Sequence, residues 1–167
     1  SYSEQDISAS EMDPVDVDYL ITSGNLVNIN RTICCGGDDE TFFIDSVDFE
    51  ISLRLKNNGY RIVKAPGAHL KHSIGEKFSP QGFFSFLKLE RHSPLRFYYM
   101  VRNHFVLCKR YNKTFTLFCL KKKLSMLYEI GQAILFFPDK KEYYKAIMQG
   151  KADAKAGIMG KRKGGFL

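Results

Sequence analysis

The chain has 167 residues, and 44% hydrophobic residues with 14 Phe and 9 Tyr can fill one ordinary core, which excludes a disordered chain. The net charge of +7 is unevenly spread: residues 1–50 hold twelve of the 18 Asp and Glu but only Arg31 among the 25 Lys and Arg. Such a basic second half meets the phosphates of nucleotides, nucleic acid or an anionic membrane face, or is a solvated helix surface. Cys34, Cys35, Cys108 and Cys119 show no C-x-x-C spacing, which excludes a zinc ribbon and predicts reduced, apolar side chains of a cytoplasmic protein. No apolar run is long enough to span a bilayer.

Residues 1–18 form a polar, acidic leading segment. Tyr19-Leu20-Ile21 predicts a buried strand, Thr22-Ser23-Gly24-Asn25 a polar turn, and Leu26-Val27-Asn28-Ile29 a second segment of strand character. A short helix is expected over 30–35, stopped by Gly36-Gly37. The chain then centres on Phe42-Phe43-Ile44-Asp45-Ser46-Val47-Asp48-Phe49-Glu50, where an aromatic pair runs into carboxylates that open an amphipathic helix. Val47, Ile51 and Leu55 share one face of it, and Arg54, Lys56, Asn57 and Asn58 take the polar side. Asp45 and Asp48 admit two readings: N-cap with capping-box partner at the positive end of the helix, or a functional pair.

Gly59 stands where a left-handed cap is wanted, and residues 60–63 follow as a short strand. Residues 68–72 alternate as a further strand ending near His72, while 76–93 suggest no element. Ser93-Pro94 reads as N-cap and first helical residue of a helix over 95–111 whose aromatics belong to the core. The stretch 114–137 is apolar but interrupted by Lys121-Lys122-Lys123, which suits a helix lying on a membrane surface or packed on the domain. Another helix starts at Pro138-Asp139, and the tail 150–167, rich in Gly, Ala and Lys, is expected to be exposed and mobile.

Chemistry can come from Asp48, followed by Glu50, and from His72, twenty-four positions beyond Asp48. A positioned carboxylate base contributes roughly 10²–10⁴-fold in rate. A neutral imidazole suits Mn²⁺-class ions, although Mg²⁺ prefers oxygen, and a lone histidine is more often structural.

In order along the chain, Tyr19-Leu20-Ile21-Thr22-Ser23-Gly24-Asn25, Gly36-Gly37-x-x-Glu40-x-Phe42-Phe43-Ile44-Asp45-x-Val47-Asp48-x-Glu50-x-x-Leu53-Arg54 and Gly59-Tyr60 resemble the second half of a bacterial family 2 glycosyltransferase. His72-x-x-Gly75 and Ser93-Pro94-x-Arg96-x-Tyr98-Tyr99-x-x-Arg102-Asn103 resemble its rhamnosyltransferase branch. The resemblance covers residues 16–111, with an echo at Gly150-x-x-Asp153 and Gly157-x-x-Gly160-Lys161.

This resemblance implies an α/β protein, the C-terminal part of a GT-A fold with a helical C-terminal extension. Residues 19–111 would be the C-terminal half of the catalytic domain and 112–167 a basic helical extension with a flexible tail. The implied reaction moves a sugar from a nucleotide-sugar donor, dTDP-rhamnose in that branch, to a glycan or lipid-linked acceptor with inversion. A divalent cation, Mg²⁺ or Mn²⁺, would neutralise the departing diphosphate. By position, Asp48 would be the catalytic base, Thr22, Ser23, Gly24 and Glu50 substrate-binding residues, and His72 a metal ligand. Val47 stands where many relatives carry Glu, and Arg102 and Asn103 are motif positions without an assigned role.

In that family a donor-binding βαβ half with an Asp-x-Asp motif precedes the segment seen here. Asp16-x-Asp18 reads instead as an acidic loop, so the isolated chain is expected to be inactive. The expected location is cytoplasmic, with peripheral contact at the inner face of the membrane. The alternative is a non-catalytic basic module that binds a membrane surface or nucleic acid, the latter disfavoured because no nucleic-acid motif occurs.

Overall fold

Residues 13–65, 76–80, 83, 85–86, 88–162 and 164 are described by the computed structural model, and among them the protein is mixed α/β and mostly helical. The strands are short. β1 (Val15–Asp16) pairs antiparallel with β2 (Val63–Lys64), and the Val17 N–H extends the pair to the Ile62 carbonyl at 2.9 Å. β3 (Glu76–Phe78) pairs antiparallel with β4 (Leu89–Arg91). The strand expected over 68–72 lies outside the described residues.

Tyr19-Leu20-Ile21 is not a strand, and both Tyr19 and Ile21 are exposed. The reason lies in where the backbone donors go. Leu20 N–H reaches Ser52 Oγ at 3.5 Å and Thr22 N–H reaches Asp48 at 3.1 Å, so side chains of one helix hold this segment without a partner strand. Leu26-Val27-Asn28 is likewise no strand, and Leu26 is almost wholly exposed. Helix α1 (Ile29–Cys34) forms close to its expected place, capped by the Asn28 side chain accepting from Arg31 N–H.

Helix α2 (Val47–Asn57) is closed at Gly59, whose φ is 81°. Gly59 N–H bonds to Lys56 O and Tyr60 N–H to Leu55 O, the two bonds of a Schellman cap. Helix α3 (Pro94–Tyr111) begins as the sequence predicts, with Pro94 in its first turn and Ser93 Oγ accepting from Arg96 N–H at 3.3 Å. It is the central rod, buried continuously from Phe97 to His104. Helix α4 (Thr116–Phe136) and helix α5 (Lys140–Ala156) complete the chain order.

Phe97, Met100 and Val101 of α3 meet Met126 and Ala133 of α4 and Tyr143 of α5 in one core. A second cluster joins Phe42 and Leu53 to Leu107, Phe118 and Cys119. Up to residue 162 the tail is not loose, because Asp153 and Ala154 are buried against α3 and Gly160 N–H bonds to the Thr41 carbonyl at 2.7 Å. Its small residues serve close approach: a Cβ on Gly150 would lie 2.7 Å from the Tyr98 carbonyl oxygen. All four cysteines are free, but Cys34 is exposed and only Cys108 and Cys119 are buried. Burial, with Cys119 alongside, pushes the Cys108 thiol up to about 12, so it stays protonated. Among the described residues no helix is long and apolar enough to cross a membrane.

Candidate functional site

The site begins with a loop that few sequences tolerate. Asp39 accepts from Thr41 N–H at 3.1 Å and starts a single 3-10 turn, Glu40–Phe42. Phe42 is fully buried, and the chain then reverses through positive φ at three non-glycine residues, Phe43, Asp45 and Ser46. Each such residue costs about 1–3 kcal/mol unless its surroundings impose the conformation.

The surroundings here are two adjacent side chains of α3. Asn103 Nδ2 lies 2.9 Å from Phe42 O, 2.8 Å from Ile44 O and 2.9 Å from Asp45 O. Its two hydrogens are shared among three acceptors. Its Oδ1 accepts from Arg102 Nε at 3.0 Å, which fixes the amide orientation. Arg102 is 1% exposed and donates to Gly160 O at 2.6 Å and to Phe42 O at 3.2 Å. Its guanidinium lies 4.9 Å from the Tyr99 ring centroid and 5.6 Å from that of Tyr98. Carbonyl dipoles and ring faces thus offset the burial of this cation. These two motif positions, without a role on sequence grounds, fasten the loop and the tail to the central helix.

Neither aspartate caps α2. Ser46 is the N-cap and makes no side-chain cap bond. Asp45 instead pairs with Arg96 Nε at 3.1 Å. Asp48, in the first turn, is half-buried, and its Oδ1 accepts the Thr22 N–H. Its Oδ2 has no partner among the described residues. The turn 22–25 is closed by Asn25 N–H on Thr22 O at 3.1 Å with φ 74° at Gly24, and Thr22, Ser23 and Gly24 are exposed. The structure therefore brings the expected base and the expected acceptor-side turn into direct contact across 26 positions of sequence.

Glu50 lies elsewhere. It is 1% exposed, and its carboxylate is engaged by Arg54 at 3.0 Å, Arg110 at 2.8 Å and the Tyr111 hydroxyl at 2.9 Å. That is an interior anchor tying α2 to the end of α3, away from the open side expected of a substrate-binding residue. Burial and the Glu50 charge push the Tyr111 phenol up to about 12, so it remains a donor. Arg110 also reaches Asp39 at 2.8 Å, and Arg54 donates to the carbonyls of Cys35 and Gly37. The glycine pair and the carboxylate loop are thereby held by one charged network. His72 lies outside the described residues. Among the described residues no three His, Cys, Asp or Glu side chains come together as a metal site.

No family model matches the chain, and no solved structure matches it. A curated protein does: dTDP-rhamnosyl transferase RfbF of Shigella flexneri is 31% identical over 147 residues, covering 88% of this chain and 48% of that protein. The chain thus spans about half the length of the curated relative it matches. Over most of its own length the chain is related, at low identity, to a glycosyltransferase.

Proposed function

We propose that this chain supplies the acceptor side and the general base of a glycosyltransferase of GT-A architecture, with dTDP-rhamnose as the first donor to try. The observation that carries the proposal is the half-buried Asp48 in the first turn of α2, one oxygen steadied by the Thr22 N–H and the other without a partner among the described residues. A base needs that combination of fixed orientation and an available lone pair. The acceptor hydroxyl would give its proton to Asp48 Oδ2 as its oxygen attacks the anomeric carbon. The nucleoside diphosphate would leave from the opposite face, inverting that carbon. Thr22, Ser23 and Gly24 would border the incoming acceptor. Glu50, Arg102 and Asn103 would act at one remove, by fixing α2 and the loop before it.

The described residues do not by themselves make a cation site, so no step of this mechanism runs through a metal. A divalent cation with His72 as ligand rests on the resemblance alone. Replacing His72 by Ala should shift the metal titration of activity, and an unchanged titration removes that assignment. In this reading the donor pocket belongs to the part of the relative's length that this chain does not match.

The test is transfer of labelled rhamnose from dTDP-rhamnose by the protein carrying this chain. Asp48→Asn should lower kcat by roughly 10²-fold or more while donor binding persists. Transfer that survives this change sinks the base assignment. Contact with an anionic membrane face belongs to the same proposal, because α4 carries an exposed leucine stripe beside Lys121 and Lys123.

A further inference from the structure

Between β4, α3 and α4 lies a cleft of about 350 Å³, a size ordinary for small-molecule sites. Its polar lining is Lys88, Glu90, His92, Ser125, Tyr128, Glu129 and Gln132. A smaller cavity of about 50 Å³ shares Met100, Ser125 and Glu129 with it and reaches Asp45 and Ser46. The cleft therefore shares a wall with the cavity beneath the loop that leads into Asp48.

Three features decide what it would take. Glu129 has one oxygen bonded to Ser125 Oγ at 3.1 Å, while its Oε2 is buried without a hydrogen-bond partner. A buried acceptor left unmade is costly, and a hydroxyl donor would satisfy it. Among the described residues Lys88 is the one lysine or arginine in the lining, set against the carboxyl groups of Glu90 and Glu129, so the cleft offers no cationic cradle for a diphosphate. The Tyr128 ring is 67% exposed at the rim and offers a flat apolar face. Acceptors, an amide and an imidazole around one aromatic face suit a neutral, hydroxyl-rich ring.

We propose that this cleft is a carbohydrate subsite holding an acceptor sugar unit beside the one that receives the transferred sugar. Tyr128 provides the stacking face, and Glu129, Gln132 and His92 bond to hydroxyls. The inference rests on the glycosyltransferase reading above and adds residues of the helical extension to it. Burial raises the Glu129 pKa and lowers that of His92, so both present uncharged or shared-proton partners more readily than they would in water.

The test uses this chain and three neutral probes: the methyl glycosides of rhamnose, glucose and N-acetylglucosamine, with dTDP as the anionic control. Saturation-transfer NMR should show contact with at least one glycoside, and Tyr128→Ala should abolish it. Gln132→Ala, also at the rim, should weaken it about five-fold, as expected for one lost hydrogen bond. Both variants should keep the wild-type amide spectrum. If one does not fold, the other decides alone. No saturation of any glycoside, or saturation that survives the folded variants, overturns the subsite. In the protein carrying the chain, Gln132→Ala should raise the acceptor KM about five-fold and leave kcat unchanged. Transfer lost on Asp48→Asn with no sugar bound in the cleft sinks the subsite alone. Sugar bound in the cleft with transfer intact in Asp48→Asn sinks the base assignment alone.

Discussion

A side-chain amide surrounded by the carbonyls of Phe42, Ile44 and Asp45 does what no apolar residue of its volume can do. In Asn103→Leu the carbonyls of Ile44 and Asp45 lose this donor while that of Phe42 keeps Arg102, and the left-handed residues of the loop lose part of what holds them. The expected cost is about 2–3 kcal/mol in urea unfolding. Asn103→Asp should cost more, since it also aims a carboxylate at carbonyl oxygens. A midpoint unmoved by Asn103→Leu means the loop is held by other contacts. The neighbouring His104 makes a pH prediction. Burial first, then Lys122 and Lys123, hold its pKa down at about 4, against an ordinary value of 6.5. The unfolded chain therefore takes up a proton below pH 6.5 that the folded chain refuses until about pH 4. The stability contributed is present above pH 6.5 and lost as the pH falls through that window, on the order of 3 kcal/mol in all. His104→Gln should flatten the dependence of the urea midpoint between pH 7 and pH 4.5. An unchanged slope assigns it to other groups.

At the scale of elements, the contact between α3 and α5 sets the fold, and at Gly150 the two backbones come close. A methyl group there meets Tyr98 O at 2.7 Å and Arg102 N at 3.2 Å, both backbone atoms that cannot swing aside. Gly150→Ala should therefore destabilise by about 1–3 kcal/mol, although alanine in an open helix would gain up to about 1 kcal/mol. The sign of the change in thermal midpoint decides between packing and propensity. Separating the two helices would also loosen Tyr98 from Asp153, a 2.7 Å bond. The sequence made some of this legible. Ser93-Pro94 marked the start of α3, and Gly59 marked the end of α2, because caps and left-handed turns are local chemistry. The packing of Gly150, Asp153 and Ala154 was not legible because small residues permit close approach as well as freedom, and composition cannot separate the two. Tyr19-Leu20-Ile21 has strand chemistry, but its backbone partners are side chains 26 and 32 positions away. Motif order singles out Asp48, and only the structure shows it accepting the Thr22 N–H. Arg102 and Asn103 gained a role only when the loop they bind was placed beside them.

At the scale of the whole molecule, α4 has two apolar sides. Phe118, Cys119, Met126 and Ala133 are buried against the domain. Leu117, Leu120, Leu124 and Leu127, spaced three and four residues apart, are between 51% and 65% exposed. Lys113, Lys121 and Lys123 are exposed around that stripe, within a segment whose net charge is strongly positive. Leucines that enter the acyl boundary gain hydrophobic free energy, and each lysine near an anionic surface adds about 1 kcal/mol. The chain should therefore float with vesicles containing phosphatidylglycerol and far less with purely zwitterionic ones. Leu120→Ser with Leu124→Ser should reduce binding more than ten-fold, and high salt should weaken the remainder. These side chains are on the outer face, so the folded state should survive the changes. Absence of flotation would reject the membrane and point to protein as the cover of the stripe. A concentration-dependent sedimentation coefficient lost in the same double variant would then identify a second copy of the chain as that cover.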